Sequence, residues 1–486
     1  MMTPFSLLRK LTLTNLRRPC WVTSSSAPRR VYSSRNILSL RSRGLISSLF
    51  PAEEEQRFID FCNTKPVTIY AGFDPTAESL HVGNLAVIMM LLNCQRGGHH
   101  IIALVGGATG RIGDPSGRKT ERSELDGKTA KKNVDKIGNN LRKLFENHEK
   151  LFWDDKRGKE ALSKVLILDN FDWYRNMPVL EFVGKIGRHF RLGTMLMKES
   201  VKSRLSSEEG ISFTEFTYQI FQSYDWLHLL KHYDCHVQVG GHDQMGNIYA
   251  GHELISRTVR SPVYGITVPL ITETESGAKY GKTAGNAIWL DPEKTGPFDF
   301  YQFFLRTKDA DVGRLLKIFT FNTDEEIEGL ARKHQKNPEL RIPQKELAKN
   351  VTLLVHGEEG LSIALKSTEA LYSENLEALS SLTPQEVQNL FNSAVSAGSK
   401  SSTSSFLSEL ILSPGTTLLE MAMKARCFEN ERDALRIISA GGFYLNHRKI
   451  SNPQEVVVPG VHILQNKISL ARVGKKNYYV IKWTNT

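Results

Sequence analysis

The run YAGFDPTAESLHVGNL, residues 70–85, decides the fold. Val67, Thr68, Ile69 and Tyr70 lead into it as an apolar, β-branched segment, the signature of a buried strand. Gly72, Asp74-Pro75 and Thr76 break that strand. From Leu80 the apolar residues recur at helical spacing, at Val82, Leu85, Val87, Ile88, Leu91 and Leu92. The polar residues therefore sit between a strand end and the first turn of a helix, the place where open-sheet α/β folds bind ligands. Gly72 lets a ligand approach the backbone, and the free N–H groups of a helix start attract phosphate. His81 and Asn84 are three apart and share one helical face. A plain capped strand–helix corner reads the same on this stretch alone.

Working outward, strands are expected at 67–70, 101–105, 165–168, 236–239 and 264–270. Helices are expected at 80–96, 128–147, 179–188, 214–232 and 244–257. That alternation predicts a parallel sheet with helices on both faces. From 298 to about 395 the pattern is wholly helical, and the Ser-rich run 396–404 reads as a linker. The last segment predicts helices at 416–425 and 429–439, stopped by Gly441-Gly442, then short strands near 443–445, 456–458 and 478–481.

The 486 residues exceed one core, and the formal net charge is +11. The charge is unevenly spread. Residues 1–52 hold nine basic residues and no acid, and residues 401–486 hold eleven basic against six acidic, which leaves a slightly acidic middle. An Arg- and Ser-rich, acid-free start with scattered Leu matches a mitochondrial transit peptide, set here at 1–45. A basic arm for nucleic acid, or a chloroplast leader, has a similar composition. No apolar run reaches the ~20 residues of a membrane span, so no membrane association is expected. Cys20, Cys62, Cys94, Cys235 and Cys427 are scattered, odd in number and form no C-x-x-C, which predicts reduced packing residues and no zinc site.

Four further stretches carry candidate chemistry. The glycine-rich run 106–117 (GGATGRIGDPSG) follows a strand and holds one carboxylate, Asp114, with Arg118 and Arg122 close behind. In TEFTYQIFQSYDW (214–226), Tyr218, Gln222 and Asp225 share a helical face and can line a small polar pocket; a solvated helix face would look alike. In QVGGHDQMGN (238–247) a strand ends on Gly240-Gly241 before Asp243 and Gln244, which suits a ribose, or a tight turn with an Asp cap. In GAKYGKTAGN (277–286), Lys279 and Lys282 lie among small residues, as in a mobile loop that carries cations to a polyphosphate.

Taken in order, these stretches resemble the class I aminoacyl-tRNA synthetases, specifically the tyrosyl-tRNA synthetases of bacterial and mitochondrial type. His81-Val82-Gly83-Asn84 resembles the family's HIGH motif and 279–283 (KYGKT) its KMSKS loop. The likeness covers 70–305 and resumes more weakly in the last ~70 residues, where 435–450 (LRIISAGGFYLNHRKI) resembles an S4-like RNA-binding domain. It implies an α/β, Rossmann-like parallel-sheet catalytic domain at 46–290 with an inserted dimerisation segment. An α-helical anticodon-binding-type domain at 291–395, a linker at 396–405 and a small α+β S4-like tRNA-binding domain at 406–486 would follow.

The resemblance also implies roles. Tyr70 and Asp225 would hydrogen-bond the phenol of substrate tyrosine; Asp114, Tyr218 and Gln222 would hold its ammonium group, with Gln244 near the carboxylate. Gly72, Asp74, Gly83, Asn84, Gly241 and Asp243 would surround the adenosine of ATP. Thr76, His81, Arg118, Arg122, Lys279 and Lys282 would meet the phosphates. Attack of a carboxylate on the α-phosphate needs positioning and charge stabilisation and no protein nucleophile, with Mg²⁺ as a helper and no metal held by the chain itself. Phenylalanine would be rejected because buried partners of the phenol would be left unpaired; tyrosyl-tRNA synthetases are themselves the standing example of that rule. The expected partners are tRNA(Tyr), L-tyrosine, ATP and a second copy of the chain, in the mitochondrial matrix. Two departures stand out, Asn84 at the fourth HIGH position and Met245 where bacterial relatives tend to carry Trp. A tryptophan-specific relative, another HIGH-type nucleotidyltransferase and an added role in RNA splicing are the competing readings.

Overall fold

The computed structural model describes residues 37–118, 120–122, 124–153, 161–283, 286–372, 380, 406–474 and 477–485. Its central strands are β1 Ser48–Phe50, β2 Thr68–Phe73, β3 His100–Val105, β4 Leu166–Asp169, β5 Cys235–Gly241 and β6 Tyr264–Val268. They form one sheet in the order β1-β6-β5-β2-β3-β4. β2 to β6 run parallel, as the alternating pattern predicts. β1 has no counterpart in the sequence reading; it is three residues long and pairs antiparallel with β6, too short to show a period. The sixth strand ends at Val268, short of the expected 270, because Pro269 has no N–H to give.

The helices around the sheet are α1 Leu38–Ser42, α2 Glu55–Thr64, α3 Val82–Arg96, α4 Gly127–Phe152, α5 Phe213–Tyr233 and α6 Met245–Thr258. The helix expected at 179–188 is instead three short turns, Val179–Glu181, Phe182–Ile186 and Gly187–His189. Gly184 and Gly187 weaken it, and Val179, Leu180 and Val183 have no core to face, being 60–84% exposed.

Alternation along β2 divides the interior. Ile69, Ala71 and Phe73 point into one core with Leu85 and Ile88 of α3, and Tyr70 points into the other with Trp226, Leu227 and Ile248. The first core continues without a break into the helical part, α7 Pro297–Leu305, α8 Asp309–Phe319, α9 Asp324–Lys336 and α10 Ile342–Tyr372. Phe300, Phe304, Leu315, Leu347 and Val351 belong to the same cluster as Ile69. The change near 291 is one of architecture, not of core. α10 kinks at Gly357 (φ +74°), where Asn147 Nδ2 donates to Leu354 O at 2.9 Å.

The last part has its own core and sheet. It contains β7 Phe406–Leu410, α11 Leu418–Lys424, α12 Glu431–Ser439, β8 Phe443–Leu445, β9 Arg448–Ile450, β10 Ile468–Val473 and β11 Asn477–Trp483, with strand order β9-β8-β10-β11-β7. The strand expected at 456–458 is absent: only Val456 bridges to Thr417, and Val458 precedes Pro459. Ile468, Leu470 and Val480 pack on Ala370 and Leu371 of α10, so this unit is docked on the helical part.

The expected leader and linker fall mainly outside the described residues. Residues 37–45, however, are built into the body: Ile37, Leu40 and Leu45 are buried, and Arg43 donates to Asn322 O at 2.8 Å and Thr320 O at 2.5 Å. Cys62, Cys94, Cys235 and Cys427 are buried free thiols, as expected of packing residues. Among the described residues no helix is long and apolar enough to cross a membrane.

Candidate active site

β3 and β4 are laid to one side of β2 and β5 and β6 to the other, so the strand order switches between the parallel neighbours β2 and β5. The crevice beyond their C-terminal ends is the ligand position of such sheets. Gly72 and Asp74 lie at one edge of it, and Gly240, Gly241 and Asp243 at the other. Gly72 is exposed, and a Cβ on it would meet nothing within 4 Å, so its backbone is open to a ligand.

Beneath the crevice is a cluster of buried polar groups. Tyr70 is 1% exposed, and its hydroxyl has no hydrogen-bond partner among the described residues. Burial raises its pKa well above the usual phenol value. Gln238, beside Tyr70 on β5, and Gln222 on α5 each carry a buried amide oxygen that is also unpaired among the described residues. Each such group costs about 1–3 kcal/mol when unmet, a cost that a polar ligand would remove. Asp225 is 2% exposed; its carboxylate accepts from Asn170 Nδ2 at 3.0 Å and Trp173 Nε1 at 2.9 Å. Burial outweighs these bonds and raises its carboxyl to about 7.

Two more carboxylates stand at the rim. Asp74 accepts from Thr109 Oγ1 at 2.7 Å and from the Tyr218 hydroxyl at 2.8 Å. Burial raises its pKa to about 6 against those bonds. Gly106 makes room for this arrangement, since a Cβ there would collide with Asp74 and Thr109. Asp114 accepts from Ser116 N at 2.9 Å and Gln244 Nε2 at 2.7 Å, and Asn247 Nδ2 holds Gln244 Oε1 at 3.0 Å. The structure thus joins Asp74, expected toward adenosine, to Tyr218, expected toward the amino acid, while Asp114 is tied to Gln244.

The phosphate side gathers at the start of α3. His81 is its N-cap, and the ring lies over Gly83, where a Cβ would come within 2.8 Å of Cε1. The His81 N–H donates to Asn84 Oδ1 at 3.0 Å. The Asn84 oxygen is therefore used inside the helix start, and its Nδ2 is the group left to donate outward. Asn84→Ala is expected to lower stability by about 1 kcal/mol and to raise the KM for ATP; unchanged adenylate formation and melting temperature would sink that role.

Gly281 (φ +84°) packs its α-carbon on Val82, which brings the loop of Lys279 against this corner. Lys279 is exposed; the Lys282 side chain lies outside the described residues. Arg122 wraps around Gly113 (φ +91°), with Nε and Nη1 buried and unpaired among the described residues, and Arg118 is exposed beside it. Partial desolvation and the neighbouring Arg122 charge depress the Arg118 pKa. Thr76 N–H donates to Asp74 O at 2.9 Å, closing the turn before α3.

Sequence reasoning missed Thr109, Asn170, Trp173, Gln238 and Asn247. Thr109, Gln238 and Asn247 lie in quoted runs, where their polarity among glycines and apolar residues was a usable signal. Asn170 and Trp173 follow a strand end without any period.

Comparison with known proteins gives the family. The model of class I tRNA synthetases for tryptophan and tyrosine matches residues 62–373, and the chain belongs to that family. Within it the chain is similar to tyrosine–tRNA ligases of mitochondria. It is 53% identical to the Drosophila melanogaster mitochondrial enzyme over 455 residues, 93% of this chain and 96% of that one. It is 45% identical to the human mitochondrial enzyme over 448 residues, 91% of each chain. Among solved structures it resembles a C-terminally truncated Aspergillus nidulans mitochondrial tyrosyl-tRNA synthetase, with a TM-score of 0.61 and 34% identity over 69% of this chain and 93% of that one.

Proposed function

We propose that the pocket under Tyr70 and Asp225 takes L-tyrosine and that the crevice above it takes ATP, the chain acting as a mitochondrial tyrosine–tRNA ligase. The hydroxyl of buried Tyr70, unpaired among the described residues and beside Asp225, carries this reading, because a substrate phenol can accept from the first and donate to the second. Asp74, Tyr218 and Asp114 offer negative potential and acceptors to the ammonium group. The tyrosine carboxylate attacks the α-phosphorus, the bond to the bridging oxygen breaks, and pyrophosphate leaves. His81, Arg118, Arg122 and the lysine loop meet the negative charge that grows on it. The terminal ribose hydroxyl of tRNA then attacks the tyrosyl carbonyl and AMP departs. Mg²⁺ carried on the phosphates of ATP would share in neutralising the charge on the departing pyrophosphate. ATP–pyrophosphate exchange driven by each amino acid in turn tests the assignment; a response to tryptophan and none to tyrosine would overturn it.

The partner reading rests on surface chemistry. Val179, Leu180, Val183, Leu192, Met197 and Phe213 are 60–84% exposed and lie in the insertion between β4 and β5, an apolar face suited to a second copy. Leu180→Asp is expected to turn a dimer into a monomer in sedimentation, and an unchanged mass would exclude this face. Exposed Arg432 and Arg436 of α12, with Lys449, give the docked C-terminal unit a surface for tRNA phosphates. The leader is proposed to be removed before Ile37, because Ile37, Leu40 and Leu45 belong to the core. A mature terminus sequenced from mitochondria is expected at or before residue 37; one beyond 45 would contradict this.

A further inference from the structure

The loop of Lys279 is a hairpin held from outside the active site. Tyr280 N–H donates to Ile271 O and Glu273 N–H to Ala278 O, both at 2.9 Å, so 271–274 and 278–280 are its two arms. Asp311 on α8 grips the first arm: its Oδ1 accepts from Thr274 Oγ1 at 2.6 Å and from Thr274 N–H at 3.2 Å. Arg314 Nη2 spans the same place, donating to Thr272 O at 2.6 Å and to Asp311 Oδ1 at 2.8 Å. Thr272 is the residue bridged to Lys279. The second arm is anchored by Tyr280, whose buried ring lies 4.9 Å from Phe303 and whose hydroxyl is 2.8 Å from Thr307 Oγ1.

Asp311 is 2% exposed, whereas Thr274, the loop residue it holds, is exposed. Burying a carboxylate is costly unless its partners are good ones, and here every partner is either the hairpin or the arginine that also holds the hairpin. Asp311 also stands in the first turn of α8, where the helix dipole favours a carboxylate, but its hydrogen bonds run to the hairpin and to Arg314. Lys308 and Glu275 add an exposed ion pair at 2.7 Å that contributes little.

We infer that Asp311, acting through Thr274 and Arg314, is a positioning residue that fixes where the Lys279 hairpin stands as pyrophosphate leaves. This rests on the reading that the lysine loop meets the phosphates. Misplacement of a charged group by about 1 Å costs up to about 100-fold in rate, so loosening one of several tethers should cost about tenfold.

The test is tyrosine-dependent ATP–pyrophosphate exchange by the full chain carrying Asp311→Asn, Thr274→Ala, Thr274→Ser or Lys279→Ala. Asp311→Asn and Thr274→Ala are expected to lower kcat about tenfold with the tyrosine KM unchanged, and Thr274→Ser, which keeps the hydroxyl, to restore it. Thr274 is exposed, so its variants report even where Asp311→Asn folds poorly. Wild-type kcat in both variants beside a slow Lys279→Ala enzyme would overturn the inference and spare the loop reading. Normal kcat in Lys279→Ala would remove both. A parallel change in kcat, tyrosine KM and melting temperature would reduce Asp311 to a structural support and also overturn it.

Discussion

His81→Ala is expected to lower kcat for tyrosine-dependent ATP–pyrophosphate exchange by about 10²–10³-fold, the usual loss when one donor to a developing charge is removed, with the tyrosine KM unchanged. Gly83→Ala separates this effect from folding. In the first turn of α3 an alanine in place of glycine stabilises the helix by up to about 1 kcal/mol. Here the added Cβ would stand 2.8 Å from His81 Cε1 and 2.9 Å from Nδ1, so the imidazole must move. Moving the ring also disturbs its cap on the Asn84 N–H, which offsets that gain, so the variant should melt near the wild-type temperature and yet turn over more slowly. A variant that melts near that temperature and keeps its full kcat would show that the ring over Gly83 has no part in the adenylation step.

The second large effect concerns the phenol. Both oxygens of Asp225 accept from N–H donors, Asn170 and Trp173. Asp225→Asn would set an amide N–H against one of those donors, and kcat/KM for tyrosine is expected to fall about 100-fold, with selection against phenylalanine eroded. Tyr70→Phe acts differently: it removes a hydroxyl unpaired among the described residues, so the free protein should gain about 1 kcal/mol while the tyrosine KM rises about tenfold. Preserved selection in both variants would remove the phenol from this pocket.

The pH dependence follows with opposite signs for binding and folding. An ionised Asp225 accepts from a phenol more strongly than a protonated one, and its carboxyl lies at about 7. Tyrosine KM should rise as pH falls below about 7, and Asp74, at about 6, should steepen the change. For the free protein both folded values lie above the ordinary 3.8 of an unfolded aspartate. Their contribution to stability is then fullest below about pH 4 and is lost as pH rises through 6 to 7. Tyrosine affinity and melting temperature followed across pH 5–8 would separate the two; a flat KM would mean that neither carboxylate changes charge on binding.

What could be read from the sequence follows physical range. The strand–glycine–helix corner at 70–85 is local and strongly periodic, and it is found where expected, with α3 starting at Val82. The face of Tyr218, Gln222 and Asp225 was legible from helical spacing, but its partners were not. Asn170 and Trp173 reach Asp225 across more than 50 residues of chain, and no local pattern encodes such a contact. The 179–188 segment misled because its apolar residues imitate a buried helix face while the structure leaves them exposed. The sharing of one core by sheet and helical part was equally invisible, since periodicity tells which residues are buried and not against what.

The short segment before β1 bears on how the chain reaches its final form. Its Arg43 finds Thr320 O and Asn322 O some 280 residues later, and Ser47 N–H finds Thr267 O. A chain made from its N-terminus delivers residues 37–47 near the beginning, yet these partners arrive only after more than half of the polypeptide has been made. Ile37, Leu40 and Leu45 cannot take their final places before then. One of the earliest segments to appear is thus among the last to settle.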